Sequence, residues 1–196
     1  LEADPDLALG NIGLACCFYL RDEVERIVRA DPEAATRKAP LAPPLTILAQ
    51  SHAIHLYPER ESDMLAIADF LLARGADVNA GLPAYVGSDH MLSTLYFAIG
   101  HANNMPLATW LLEHGADPND GESLYHSTEL GHHEGLRLLL AHGADPKGTN
   151  ALLRAMDFHD IEAVRMLMAA GAEVDEFNGA HVGGERPWVV PALHQA

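Results

Sequence analysis

Apolar residues recur along the chain at i, i+3 and i+4, the spacing of one face of an α-helix. The clearest stripe comes just before Gly143 and consists of Leu136, Leu139 and Leu140. Stripes with the same spacing are found at four other places: Val24, Ile27 and Val28; Ala68, Leu71 and Leu72; Ala108, Leu111 and Leu112; and Val164, Leu167 and Met168. The pattern therefore predicts five amphipathic helices, each burying one face.

Four of the five stripes end in the same phrase, which reads LLARGADVN at 71–79, LLEHGADPN at 111–119, LLAHGADP at 139–146 and LMAAGAEVD at 167–175. The glycine suits the left-handed conformation just past a helix end, and the Asp before Pro or Val suits a turn. The four glycines are separated by 40, 28 and 28 residues. A phrase that recurs in this way indicates a repeat architecture.

A shorter apolar segment with small residues precedes each stripe. These segments are Ile12–Ala15–Cys16, Leu45–Leu48–Ala49, Tyr96–Ile99–Gly100, Leu124–Ser127–Thr128 and Leu152–Ala155–Met156. The predicted unit is a short helix, a tight turn, a longer helix and a glycine stop. Such a pair of helices cannot bury both faces alone, so we expect the units to stack on one another.

The unit resembles the ankyrin repeat. Glu122-Ser-Leu-Tyr-His-Ser-Thr-Glu-Leu-Gly-His132, continued to Gly143-Ala-Asp-Pro146, follows that family's Thr-Pro-Leu-His opening, Gly-His turn and Gly-Ala-Asp ending. The resemblance covers nearly the whole chain and implies an all-α solenoid of stacked helix-turn-helix units. The expected repeats are 8–40, 41–81, 82–120, 121–148 and 149–177, with a partial sixth at 178–196. Because Leu193-His-Gln-Ala196 matches the start of a repeat, we expect the array to continue.

The spacing of the units departs from the family's period of about 33 residues. In the two 28-residue intervals, the missing residues fall between Asp117 and Glu122 and between Asp145 and Asn150. The family extends a β-hairpin finger at those places, so we expect short or missing fingers there. The segment Ala80–Ser93 is longer than usual, and residues 52–62 are an insertion between the two helices of the second unit.

The charge balance narrows the classes of partner. The chain of 196 residues has 28 acidic and 12 basic side chains, a formal net charge of −16. This charge disfavours nucleic acids and anionic membranes as partners. It permits a partner protein with a basic surface; alternatively, the charge only keeps the protein soluble. The two cysteines are adjacent and form no disulfide framework, which favours a reducing, cytoplasmic location; secretion as an effector is the alternative. The scarcity of lysine beside abundant arginine, alanine and leucine is typical of a bacterial source.

Catalytic and metal-binding signatures are missing from the sequence. It has no nucleophile elbow, no phosphate-binding loop and no His-Glu-x-x-His. His52 and His55, followed by Glu59, have the residue types of a zinc site. Pro58 breaks the local helix, however, and no third ligand is fixed. We therefore expect a solvated loop there, and we predict no metal, cofactor or small-molecule substrate and no catalysis.

The ankyrin resemblance implies that a partner binds on a concave surface formed by the fingers and the exposed ends of the first helices. The residues expected there at helix ends are Phe18, His101, Glu129, Leu130, Asp157 and Phe158. Two further aromatic residues, Tyr85 and Trp188, lie on the long connectors. The apolar members form a groove if they are exposed; alternatively, they pack beneath a neighbouring finger or repeat.

Three functions fit these expectations. The first is a non-catalytic protein-interaction module. The second is a targeting or regulatory section of a larger enzyme or secreted effector. The third is an inhibitor or immunity-type antagonist that covers the basic site of a partner.

Overall fold

The computed structural model describes residues 7–38 and 42–181. These residues form five pairs of helices in chain order. The first helices are α1 (Ile12–Cys17), α3 (Pro44–Gln50), α5 (Thr94–Tyr96, continued by a π-helix over Phe97–His101), α7 (Ser123–Ser127) and α9 (Ala151–Asp157). The second helices are α2 (Arg21–Ala30), α4 (Glu61–Leu72), α6 (Met105–Glu113), α8 (Glu134–Ala141) and α10 (Ile161–Ala169). None of the described helices is long and apolar enough to cross a membrane.

Helices of the same kind stack on one another. The first helices form one contact series, in which α1 packs on α3, α3 on the π-helix, the π-helix on α7, and α7 on α9. The second helices α2, α4, α6 and α8 form another. The small residues of the first helices permit the close approach: a Cβ added to Gly100 would lie 2.6 Å from the Cβ of His126.

The apolar stripes supply the core between these layers, as the sequence predicts. The buried stripe residues are Val24, Val28, Ala68, Leu71, Ala108, Leu111, Leu112, Leu136, Leu139 and Leu167. The last position of the stripe is less uniform than predicted, because Leu72 and Leu140 are half-buried and Met168 is exposed. The second helices therefore turn their i and i+3 positions most fully towards the core.

The Gly-Ala-Asp phrases end four helices in the predicted way. Gly75, Gly115, Gly143 and Gly171 all have φ between +88° and +105°. The backbone N–H of the alanine that follows each glycine donates back to a carbonyl inside the helix, as Ala144 does to Leu139 at 3.0 Å. This is the Schellman pattern of a helix C-terminus.

Asparagine side chains join consecutive phrases. Asn79 donates through Nδ2 to the carbonyl of Gly115 at 3.2 Å, and its Oδ1 accepts from the N–H of Asp117 at 2.8 Å. Asn119 makes the same two bonds, at 3.5 and 2.8 Å, to Gly143 and Asp145. Each asparagine thus fixes the position of one turn relative to the next.

The connectors between the pairs differ in length. Residues 81–93 form an antiparallel hairpin of β1 (Gly81–Pro83) and β2 (Met91–Ser93), with Leu82 opposite Leu92. Turns take the place of strands in 117–122 and 145–150, where the sequence predicts short fingers. The prediction of a solvated loop over 52–62 is wrong in part, because Ala53 and Ile54 are buried and pack against the core.

Candidate functional site

The structure places the predicted partner-binding residues along the ends of the first helices. Phe18 follows α1 and His101 ends the π-helix. Glu129 and Leu130 lie just beyond α7, while Asp157 ends α9 and Phe158 follows it. Tyr85 lies at the tip of the hairpin. Trp188 lies outside the described residues.

Exposure separates these residues into two groups. Phe158 is 49% exposed and Tyr85 is 72% exposed. Phe18 and Leu130 are less exposed, because both side chains are half-buried and Leu130 packs against core residues. The apolar groove expected from Phe18, Leu130 and Phe158 is therefore reduced to Phe158, because the other two side chains are partly covered.

Phe158 is part of a surface that we call the α7–α9 surface, defined by Glu129, Arg154, Asp157 and Phe158. The guanidinium of Arg154 lies 4.7 Å from the centroid of the Phe158 ring. Its Nε donates to Oε1 of Glu129 at 2.6 Å, and Nη1 lies 3.7 Å from Oδ2 of Asp157. Arg154 is therefore held in one orientation beside an exposed aromatic ring, with carboxylates on both sides.

A buried carboxylate lies next to this surface. Glu122, whose side chain is 3% exposed, comes just before α7. Its two oxygens contact Nε2 of His126, at 3.1 Å, and Nε2 of His90 on the hairpin connector. Burial raises the pKa of a carboxyl, but the hydrogen bonds from His126 and His90 outweigh it and lower the pKa of Glu122. Glu122 thus joins the hairpin to α7 as an anion.

His126 links Glu122 to the α7–α9 surface. Its Nε2 contacts Glu122, and its Nδ1 lies 2.9 Å from Oε2 of Glu129. A neutral imidazole has one N–H, so both nitrogens can donate to carboxylates only when the ring is a cation. Burial lowers the pKa of His126, but the bonds to Glu122 and Glu129 outweigh it and raise the pKa. A continuous series of polar contacts therefore runs from His90 through Glu122, His126 and Glu129 to Arg154.

Of the residues that form this series of contacts, only Glu129 is among the candidates that the sequence predicts. Helical spacing alone would have suggested the contact between Glu122 and His126 at i, i+4. His90 and Arg154 come from other units, and no local pattern indicates that they meet these residues.

His101 lies in a different environment. Its ring centroid is 5.0 Å from that of His52 and 5.8 Å from that of Phe97. Burial, followed by the proximity of His52, lowers the pKa of His101. His55 contacts the carbonyl of Ala102 through Nε2 at 2.7 Å. Among residues 7–38 and 42–181, no group of three or more His, Cys, Asp or Glu side chains is arranged to hold a metal ion.

Comparison with known proteins agrees with this architecture. Residues 88–178 match the family model for ankyrin repeats in three copies. The match supports an ankyrin repeat protein, and the helical structure fits an all-α repeat fold. Ankyrin repeats are generally protein–protein interaction modules and are typically non-catalytic. A search of curated proteins found no match.

Proposed function

We propose that the protein is a non-catalytic interaction module whose partner binds at the α7–α9 surface, on the concave side of the array. In this proposal all five helix pairs are ankyrin repeats, including the two that precede the matched residues 88–178. In these two pairs, α4 ends with the same glycine turn as the later second helices, at Gly75, and α2 ends at Asp31. We further propose that the protein is bacterial and works in the cytoplasm.

The observation that carries the proposal is the fixed arginine–aromatic pair. Binding energy at protein interfaces concentrates in aromatic and arginine side chains. Arg154 and Phe158 are of these types, and the contacts with Glu129 and Asp157 already restrict Arg154. Ordering a side chain on binding costs free energy, so a side chain that is already ordered in the free protein binds at a lower cost.

The charge of the molecule indicates the kind of partner. The formal net charge is −16, and Glu129 and Asp157 place carboxylates at the edge of the α7–α9 surface. A partner with lysine or arginine side chains around an apolar contact would complement this arrangement. Long-range attraction between opposite charges would also raise the association rate and make it sensitive to salt.

The test is to capture the partner with the wild-type protein and then measure its affinity for two variants. Phe158→Ala removes the exposed ring of the α7–α9 surface. Met168→Ala removes a side chain of similar exposure, 43%, from α10. We expect Phe158→Ala to weaken binding about tenfold or more, as for an interface hot spot, and Met168→Ala to have little effect. Equal affinities for the two variants would contradict the proposal.

A further inference from the structure

A cleft lies beside the hairpin connector. One cavity of about 510 Å³ is lined by Tyr85 and His90 of the hairpin connector, by Glu122, and by Ala180 and His181 after the last described helix. A second cavity of about 170 Å³ shares Glu122 and His181 and extends to the short turns at 118–121 and 145–149. We call the two together the finger cleft.

The finger cleft follows from the unequal connector lengths. Residues of the hairpin connector and residues 179–181 both line the larger cavity. Between them, the turns at 117–122 and 145–150 contain no strand. Turn residues instead of a finger therefore line the smaller cavity, and the buried Glu122 is part of the lining of both cavities.

The lining is acidic. The carboxylates of Asp120, Glu122 and Asp145 contribute to it, and the cavities are lined by no lysine or arginine among the described residues. The carboxylate of Glu122 contacts the rings of His90 and His126. Asp120 and Asp145 form no ion pair with another described residue. The carboxylate of Asp120 accepts from the hydroxyls of Ser93 and Ser123 and from the backbone N–H groups of Glu122 and Ser123. The carboxylate of Asp145 accepts from the backbone N–H of Lys147. Two carboxylates without an ion pair among the described residues thus line the smaller cavity.

The larger cavity of the finger cleft also has an exposed aromatic ring in its lining. Tyr85 is 72% exposed and lines the larger cavity. An aromatic ring and carboxylates are the groups that bind a guanidinium or ammonium, through cation–π contact and charge-assisted hydrogen bonds.

We propose that the finger cleft binds an extended segment of the partner protein through an arginine or lysine side chain. The inference rests on the proposed function and makes it more specific, because it assigns a second contact region and a chemical class of partner residue. We infer a basic side chain as the occupant because the carboxylates of Asp120 and Asp145 are negatively charged.

A peptide titration followed by ¹⁵N NMR tests the chemistry directly. The probe is acetyl-Gly-Ser-Arg-Ala-Arg-Ser-Gly-amide, and the comparison peptides have glutamine or glutamate in place of both arginines. We expect the arginine peptide to shift the amide signals of Tyr85, Gly121 and Asp145 and the glutamine and glutamate peptides to leave them in place. Shifts that are spread over the whole acidic surface, or none at all, would overturn the proposal.

The chain provides a matched pair of variants for this titration. Asp77 and Asp145 occupy the same place in their turns, and each accepts the N–H two residues ahead through Oδ1. Only Asp145 lines the cleft. We expect Asp145→Asn to lower the peptide affinity about threefold, as for one exposed charge contact, and Asp77→Asn to leave it unchanged. An equal effect would indicate attraction to net charge alone and would overturn the proposal.

Filling the cleft separates this inference from the proposed function. Ala84 is exposed and lines the larger cavity, whereas Ala141 is an exposed residue at the end of α8. We expect Ala84→Trp, but not Ala141→Trp, to weaken partner binding at least tenfold. If Ala84→Trp binds the partner normally while Phe158→Ala does not, the cleft assignment is wrong and the proposed function stands. If both bind normally, both proposals fail.

Discussion

The hairpin connector at 81–93 and the short turns at 117–122 and 145–150 occupy equivalent places between helix pairs, yet only the first forms strands. Their bases are nevertheless similar, because Asn79 and Asn119 bridge successive turns with the same pair of bonds. The asparagine bridges, together with helix packing, fix the register of the stack. The length of a finger can therefore vary without disturbing the fold, and it determines the shape of the surface instead.

The hairpin connector is attached to the following connector by side chains, as the turn at 145–150 is by the hydrogen bonds of Asn150 and Gly148 with Asn178. His90 contacts Glu122, and the hydroxyl of Ser93 donates to Asp120. Both acceptors lie in the next connector, so the hairpin is tied to the unit that follows it.

The largest effect is expected from Glu122→Gln. The substitution removes a buried charge that two histidines contact. His90 then loses its carboxylate partner, and His126 keeps only Glu129. We expect a loss of about 2–3 kcal/mol in the free energy of unfolding, measured by urea denaturation. Glu113→Gln, at an exposed position at the end of α6, is the control and should change stability by less than about 0.5 kcal/mol. Equal losses would show that the Glu122 contacts do not stabilise the fold.

A smaller effect is expected at the bridges. Lys147 occupies the position equivalent to Asn119, but it forms an ion pair with Glu173 at 3.3 Å in which both side chains are more than half exposed. Asn119→Ala removes two hydrogen bonds to the next turn and should cost about 1–2 kcal/mol. Lys147→Ala removes only a surface ion pair and should cost about 0.5 kcal/mol or less. Urea denaturation measures the free energy of unfolding of both variants. A larger loss of this free energy for Lys147→Ala than for Asn119→Ala would contradict the inference that the asparagine bridge holds consecutive turns together.

The smallest effect is a dependence of stability on pH. Because the pKa of His126 is raised above its ordinary value of 6.5, its contribution is complete below pH 6.5 and is lost as the pH rises through the higher folded-state pKa. The pKa of Glu122 is lowered from 4.5, so its contribution is present above pH 4.5 and is lost as the pH falls through the lower folded-state pKa. Both residues therefore contribute fully to the stability of the fold between pH 4.5 and 6.5.

Thermal unfolding of the wild type and of His126→Gln over about pH 5 to 9 measures this dependence. The wild type should lose stability above pH 6.5, and the variant should lose less. Parallel curves for the two proteins would show that His126 does not bind its proton more tightly in the folded state.

Much of the fold could be predicted from local patterns. The i, i+3, i+4 stripes identified the five second helices, and the glycines identified where four of them end, because both signals depend on neighbouring residues in one helix. The exposure of single positions was harder to predict. Leu130 and Phe158 occupy equivalent places in their units, but Leu130 packs against the core and Phe158 is 49% exposed.

The contacts of Glu122 with His90 and of Glu129 with Arg154 could not be predicted from local patterns, for a different reason. His90 meets Glu122 across 32 residues, and Arg154 meets Glu129 across 25. Each contact depends on how one unit stacks on the next, and the unequal connectors change which side chains face each other. The repeat in the sequence predicts the core contacts that recur in every unit. It does not predict a contact that is found between only one pair of units.

Hydrogen exchange of the protein alone and in complex with its captured partner tests the central claim most directly. We expect slower exchange on binding in residues 128–131 and 154–159, which contain the α7–α9 surface, and unchanged exchange in α10. Protection confined to α10, or to α2 at the other end of the stack, would contradict the claim that the partner binds at the ends of the first helices.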